Sequence, residues 1–376
     1  MLKTNGKTIG ELFREAVQTY GPNDLLVLPS DAGRAYDTDG RTITYAEAGQ
    51  LVEQYTKALQ DAGYGHGHRV AILLENRPEI LLMKLALNTL GISWVPVNPD
   101  YRPAEAAYLL QDSHADLAIT ADTRLDLMQA ALDESGRDLA LYVFENANPV
   151  FPPAPRPVPN SGPITPETEA SLLYTSGTTG RPKGCMLSHG YELEIGEWYM
   201  NLGGALDIEI GKERIYNPLP LFHINAAICL FFGMVVSGNC HIVPDRFSRT
   251  AWWRDIRETR ATGFHYLGVV IPVLMNEPVA EGERDHKIKF GMGAGVEPSL
   301  HRPFEERFNI PLIEVWGMTE MCRVLADVQE PRKIDTRAMG RPVPGLEVRV
   351  VDGEDNDVPT GVAGELLVRH SAETPR

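Results

Sequence analysis

Cysteine is scarce in this chain, and positive charge is the minority sign. The four cysteines, Cys185, Cys229, Cys240 and Cys322, show no C-x-x-C spacing and no adjoining histidine cluster. That argues against a disulfide scaffold or a structural zinc site. It leaves reduced, mostly buried thiols of the kind expected in a cytoplasmic protein. Thirty-five basic side chains face 51 acidic ones, a formal net charge of -16. Such a surface repels a nucleic-acid backbone and gives an anionic membrane nothing to attract. Neither partner is expected, and an anionic small ligand would need a local cluster of donors. Long apolar runs are missing as well. AAICLFFGMVV, from Ala226 to Val236, is too short and too glycine-broken to span a bilayer. MLKTNGKTIGEL, at the start, has no signal-peptide core. No repeat at solenoid spacing is found.

What is present is an alternation of short strands and amphipathic helices. Ile9, Leu12, Phe13, Ala16, Val17 and Tyr20 share one helical stripe. RVAILLE (69–75) reads as a buried strand, PEILLMKLALNTLG (78–91) as a helix stopped by Gly91, and SWVPVNP as the next strand. PAEAAYLLQDS then reads as a helix and ADLAIT as a strand. Further on, HIVP and GFHYLGVV read as strands around the helix AWWRDIRETRA, and KIKFGMGAG and PLIEVWGMTE as strand-to-loop transitions. From Gly340 the pattern turns to apolar–polar alternation around Gly and Asp turns. The expected fold is α/β: two mainly parallel sheets flanked by helices, closed by a small antiparallel β subdomain. The proline-rich stretch 148–168 reads as an extended surface connection. It suggests a division into 1–165, 166–339 and 340–376.

YTSGTTGRPKG, residues 174–184, carries the chemistry. Its glycines permit close backbone approach, so successive N–H groups can face one anion. Thr175, Ser176, Thr178 and Thr179 add hydroxyls, and Lys183 adds a mobile cation. The stretch follows EASLLY, a strand, and is expected to precede a helix, the usual seat of nucleotide phosphates in open α/β sheets. It is not a Walker A loop, because Lys183 sits between Pro182 and Gly184. GMGAG is likewise no dinucleotide fingerprint, since Val296 stands where the third glycine would be.

These residues resemble the phosphate-binding signature of the adenylate-forming superfamily, which includes acyl-CoA synthetases, peptide-synthetase adenylation domains and luciferases. Other segments resemble that family in order: TITYAEA (42–48), LALNTLGISWVPVNPDY, PLFHINA (220–226), GAGVEPSL (293–300), EVWGMTE (314–320), GRPVPGLEVRVVD and GVAGELLVR. The resemblance covers nearly the whole chain. It implies an AMP-forming acid–CoA ligase: a carboxylate joins ATP to give an acyl-adenylate and pyrophosphate, and CoA then takes the acyl group.

By the same resemblance, residues 175–180, including Gly177 and Gly180, cradle the phosphates with Lys183. Glu320 matches the Mg²⁺ ligand and Thr319 a contact to the phosphate end of the nucleotide. Gly293, Ala294 and Gly295 match the loop over the adenine, and Val315, Trp316, Gly317 and Met318 the strand end beside it. Trp316 stands where the family more often has Tyr. His223 and Asn225 match positions lining the acyl pocket, with His223 near the thiol passage. Val269 and Met318, with Trp198, Tyr199, Val270 and Ile271, are expected to complete an apolar pocket. FHIN lacks the Asp with which amino-acid-activating relatives hold the substrate ammonium, which favours a plain organic acid. The resemblance further implies, beyond position 376, a ribose-binding Asp, a hinge and a small mobile domain with an adenylation-promoting lysine. The chain is therefore expected to be a large N-terminal domain, weakly active or inactive by itself. Other acceptors (a carrier-protein thiol, an amine, an inorganic nucleophile), a non-catalytic nucleotide-binding role and a homodimer all stay open.

Overall fold

The computed structural model describes residues 1–144, 149–175 and 180–371. Within them the strands run in chain order as β1 (Asp24–Leu28), β2 (Arg41–Thr44), β3 (Arg69–Leu73), β4 (Ser93–Pro96), β5 (Leu117–Thr120), β6 (Ala140–Val143), β7 (Glu169–Thr175), β8 (Lys183–Ser188), β9 (Arg214–Tyr216), β10 (Cys240–Ile242), β11 (Gly263–Leu267), β12 (Phe290–Ala294), β13 (Leu312–Trp316), β14 (Leu325–Ala326), β15 (Leu346–Val351) and β16 (Glu365–His370). They form a six-stranded sheet in the order β6-β5-β3-β4-β7-β8, an eight-stranded sheet in the order β14-β13-β12-β11-β9-β10-β1-β2, and the pair β15-β16. Both large sheets are mainly parallel, with antiparallel pairs only at their edges, and β15 and β16 are antiparallel. This is the expected α/β architecture.

Sheet membership does not follow chain order. β1 runs parallel to β10, Leu26 opposite His241, so the two earliest strands join the later sheet. β7 and β8 join the earlier one.

Strand alternation sorts the side chains into layers. Val70 and Ile72 of β3 enter the large core shared by both sheets, while Ala71 and Leu73 face a smaller core outside the first sheet. Phe290 and Met292 of β12 point into the shared core, and Phe264 and Tyr266 of β11 into a third core outside the second sheet. The shared core is filled by helices Ile9–Tyr20, Pro78–Thr89, His189–Met200 and Phe231–Ser237. Ile9–Tyr20 starts on a capping box between Thr8 and Glu11. Pro78–Thr89 opens on proline and is buried from Pro78 to Asn88, a mostly apolar helix between two sheets whose polar members, Glu79, Lys84 and Asn88, must find partners.

This central layer holds a buried ion pair. Lys84 Nζ lies 2.5 Å from Glu192 Oε2 and also donates to Asn88 Oδ1 at 3.0 Å and Ser171 Oγ at 2.9 Å; Ser171 donates to Glu192 Oε1 at 2.5 Å. Burial lowers the Lys84 pKa and raises that of Glu192, each opposed by the partner's charge. The cluster ties the Pro78–Thr89 helix, β7 and the His189–Met200 helix together.

Two local expectations give way. GFHYLGVV is a strand only to Leu267; Val270–Met275 is a short helix. Pro272, unable to donate to a ladder, fits its first turn instead. The 174–184 stretch is followed not by a helix but by β8, which pairs antiparallel with β7, Thr175 opposite Lys183. That pairing covers the open side of β7. The helix waits for Ser188, whose hydroxyl accepts from Tyr191 N. Residues 149–168 form neither helix nor strand, as their prolines dictate, and Phe151 anchors them by packing 4.6 Å from the Tyr142 ring. The four thiols are free, three of them buried. Among the described residues no helix is long and apolar enough to cross a membrane.

Candidate functional site

Parallel strands bring their carboxyl ends to one edge, where open α/β sheets bind ligands. The neighbours β9, β11, β12 and β13 deliver four loops there: 217–224, 268–269, 295–297 and 317–320. Seven of the expected site residues, His223, Val269, Gly295, Gly317, Met318, Thr319 and Glu320, lie on them, and Gly293, Ala294, Val315 and Trp316 end the strands that lead into them.

The adenine side is built on close backbone approach. A Cβ added at Gly293 would stand 2.2 Å from Tyr266 O, and one at Gly268 only 2.0 Å from Gly295 O. Gly295 itself has φ +82°, a left-handed conformation open to glycine. The buried carboxylate of Glu314 fixes the turn, accepting from Tyr266 Oη at 2.6 Å, Gly295 N at 2.8 Å and Val296 N at 3.3 Å. Ala294 ends β12 and Val315 is buried in β13. Trp316 is half-buried, and its ring meets no other aromatic ring among the described residues. Gly317, Met318 and Glu320 are exposed.

The phosphate side is only partly visible. Ser176, Gly177, Thr178 and Thr179 lie outside the described residues. Thr175 ends β7, and Gly180 and Lys183 are exposed. Tyr108 holds the returning strand by donating to Pro182 O at 3.1 Å, with the Arg181 guanidinium 5.7 Å from its ring. Lys183 and Glu320 make no ion pair among the described residues.

The two sides meet at β8 and the helix behind it. Burial first, and then the charge of Glu320, pushes the Cys185 thiol up to about 11, so Glu320 lies within Coulomb reach of a residue two positions from Lys183. Tyr191, on the His189–Met200 helix, donates its hydroxyl to Thr319 O at 2.8 Å. Its phenol pKa is raised by burial and then by the neighbouring Cys322 and Cys185. Three elements therefore converge where Thr319 and Glu320 sit.

The acyl side combines polar and apolar groups. His223 is exposed, its ring centroid 4.4 Å from that of Phe222, and desolvation lowers its pKa. Asn225 begins a π-helical turn, Asn225–Leu230, and is half-buried. Its Oδ1 lies 2.9 Å from His265 Nδ1 and 3.0 Å from Asn217 Nδ2; His265 Nε2 lies 3.0 Å from Tyr199 Oη. Leu267, Val269 and Met318 are large apolar side chains left exposed at this edge. Val270 and Ile271, expected in the pocket, instead fill the core outside the second sheet, because the turn at Gly268 starts a helix whose buried face carries them. Trp198 and Tyr199 belong to the shared core, with only the Tyr199 hydroxyl engaged towards this edge.

Sequence reasoning missed Tyr191, Glu314, His265 and Asn217. One signal was available for His265: a histidine in the apolar strand GFHYL is buried and must find partners.

A model of the AMP-binding enzyme family matches residues 14–374. The chain is 30% identical over 358 residues to sulfoacetate–CoA ligase of Cupriavidus necator, covering 93% of this chain and 67% of that protein. It is 26% identical over 373 residues to crotonobetaine/carnitine–CoA ligase of Proteus mirabilis, covering 96% and 70%. The solved structure of a benzoate CoA ligase from Burkholderia xenovorans superposes with a TM-score of 0.81 at 22% identity, covering 97% of this chain and 72% of that one.

Proposed function

The chain belongs to the AMP-binding enzyme family, and from that premise we propose that it is the nucleotide- and acid-binding body of an AMP-forming acid–CoA ligase. Relatives named as CoA ligases for sulfoacetate and for crotonobetaine or carnitine support this. The reaction joins a small carboxylic acid to ATP as an acyl-adenylate and then transfers the acyl group to CoA. The observation that carries the proposal is the meeting of the Thr319–Glu320 loop with Tyr191, together with the charge of Glu320 felt at Cys185 on the strand bearing Lys183.

The residues divide the work as follows. A carboxylate is a poor electrophile because oxide would have to leave; adenylation supplies a better leaving group. The difficulty is that two anions must approach. Lys183, which makes no ion pair among the described residues, offsets phosphate charge, with Thr175, Gly180 and the hydroxyls of Ser176, Thr178 and Thr179 assigned to the same phosphates. The bare backbone of Gly293 and Gly295, with Ala294, lets the adenine lie against β12, and Trp316, packed against the core but meeting no other aromatic ring among the described residues, offers its indole for stacking. Thr319, anchored through its carbonyl by Tyr191, is assigned to the phosphate end. His223 and Asn225 border the acid, with Val269 and Met318 as apolar walls.

The donor set fits magnesium. No group of three or more His, Cys, Asp and Glu side chains gathers among the described residues, so Glu320 would be its one protein carboxylate. Mg²⁺ usually keeps several waters and takes its other ligands from phosphate, and so suits such a site. When bound, it supplies charge neutralisation on the triphosphate.

Incubation with Mg-ATP, CoA and a panel of small carboxylic acids tests the proposal. At least one acid should raise AMP and its acyl-CoA above the acid-free level by mass spectrometry, even if slowly, and Lys183→Ala should lower both. ATP hydrolysis to ADP, or AMP formation indifferent to the acid, would count against it.

A further inference from the structure

The four-residue polar network at the floor of the acyl side has a single consistent hydrogen assignment. It begins at a backbone group. Leu219 N–H donates to Asn217 Oδ1 at 3.0 Å, so the other terminus of the Asn217 amide is its NH₂. That NH₂ donates to Asn225 Oδ1 at 3.0 Å, which fixes the Asn225 amide in turn. His265 Nδ1, 2.9 Å from the same oxygen, must carry a proton, since two acceptors would repel at that distance; its longer, 3.4 Å approach to Asn217 Nδ2 then sets two donors side by side and is no hydrogen bond. His265 Nε2 is then the acceptor, and the Tyr199 hydroxyl donates to it at 3.0 Å. Burial agrees: His265 and Tyr199 are fully enclosed, and both are neutral groups.

The chain of bonds ends with one group unspent. Asn225 Oδ1 is filled by two donors, whereas Nδ2 bonds to no described group. Nδ2 is also absent from the buried, unpartnered polar atoms, so it stays open to solvent. Leu267 follows His265 two residues along the same strand face, Val269 and Met318 stand exposed at the same sheet edge, and the exposed His223 precedes Asn225 by two residues. Asn217, Tyr199 and His265 supply no cation, and neither carboxylate nor ammonium belongs to the network.

Building on the acid–CoA ligase reading, we infer that Asn225 is a specificity-determining donor: it selects acids that carry an acceptor oxygen beyond the reacting carboxylate. A ketone, hydroxyl, sulfonate or second carboxylate shares that chemistry. A plain alkyl acid of the same shape covers the amide N–H, removes it from water and leaves it unpaired. A buried donor deprived of its partner costs more than the bond gained when the partner is present.

Acyl-sulfamoyl adenosines, stable mimics of acyl-adenylates, make the test a binding measurement. Two matched pairs differ only by oxygen for methyl: 3-oxobutanoyl against 3-methylbutanoyl, and 4-oxopentanoyl against 4-methylpentanoyl. Calorimetry should show the oxo member of at least one pair binding about 3- to 15-fold tighter. Asn225→Asp keeps the acceptor for His265 and Asn217 and replaces the free NH₂ by an oxygen. It should abolish or reverse that preference, and Asn225→Leu should equalise the pair. Equal binding within both pairs to the unaltered protein, or an oxo preference that survives Asn225→Asp, would overturn the inference. Failure of every mimic to bind would instead remove the ligase reading itself, and this inference with it.

Discussion

Replacing Lys84 by methionine removes the buried cation while nearly keeping its volume. Glu192 then faces the core with only Ser171 as a hydrogen-bond partner, since its Oε2 lies against Lys84 and its Oε1 against Ser171. The carboxylate either stays charged and unpaired or takes up a proton. Protonation is the cheaper course. At pH 7 it costs about 1.36 kcal/mol for each pH unit above the unfolded value of about 4.3, or about 4 kcal/mol. That figure falls within the range of about 3–5 kcal/mol for breaking a buried pair. The sign of the pH dependence follows. In the variant, Glu192 has a folded pKa raised above its unfolded one, so the folded state binds the extra proton and is stabilised as pH falls. The loss relative to the unaltered chain should therefore shrink to about 1 kcal/mol at pH 5. Urea unfolding at the two pH values measures it. Adding Glu192→Gln to Lys84→Met should recover most of the loss and flatten its pH dependence. A loss below about 1 kcal/mol at pH 7, or one that does not change with pH, would refute the reasoning.

Other expectations concern the site and its supports. Tyr191→Phe deletes the bond to Thr319 O and should weaken Mg-ATP binding about 3- to 10-fold by calorimetry, at a stability cost of about 1 kcal/mol. Gly268→Ala drives a Cβ into Gly295 O, 2.0 Å away. It should cost about 1–3 kcal/mol in urea unfolding and reduce Mg-ATP affinity as the adenine turn is displaced; unchanged values in both would deny the close approach. His189, His241 and His265 are neutral because burial lowers each to about 3. Their folded pKa values lie below the unfolded value, so stability should fall as pH drops below about 6.5, by up to about 4 kcal/mol per pH unit if all three act. Unfolding free energies that stay level from pH 7 to pH 5 would contradict that.

The alternation of strands and helices was legible because each element here is short and strongly patterned: RVAIL, SWVP and LAIT are continuous apolar runs, as strands buried on both faces require. The antiparallel closing pair was legible for the opposite reason, its exposed residues alternating around turns. β8 was not legible. KGCMLS has no clean alternation, and what makes it a strand is the open side of β7, which no local window contains. The pairing of β1 with β10 joins residues more than 200 positions apart and leaves no local trace. The site divides the same way. Motif residues such as Gly293, Lys183 and Glu320 could be named from the chain alone. Tyr191 and His265 could not, since their partners, Thr319 and Asn225, stand 128 and 40 residues away. Supporting residues owe their role to tertiary placement, and no motif marks them.

A crystal structure of the protein soaked with Mg-ATP measures the central claim directly. The adenine should lie against Gly293–Gly295 and Trp316, with the phosphates between Lys183 and Glu320 and one divalent cation on the Glu320 carboxylate. Nucleotide bound elsewhere, with Lys183 and Glu320 both free of contact, would contradict it.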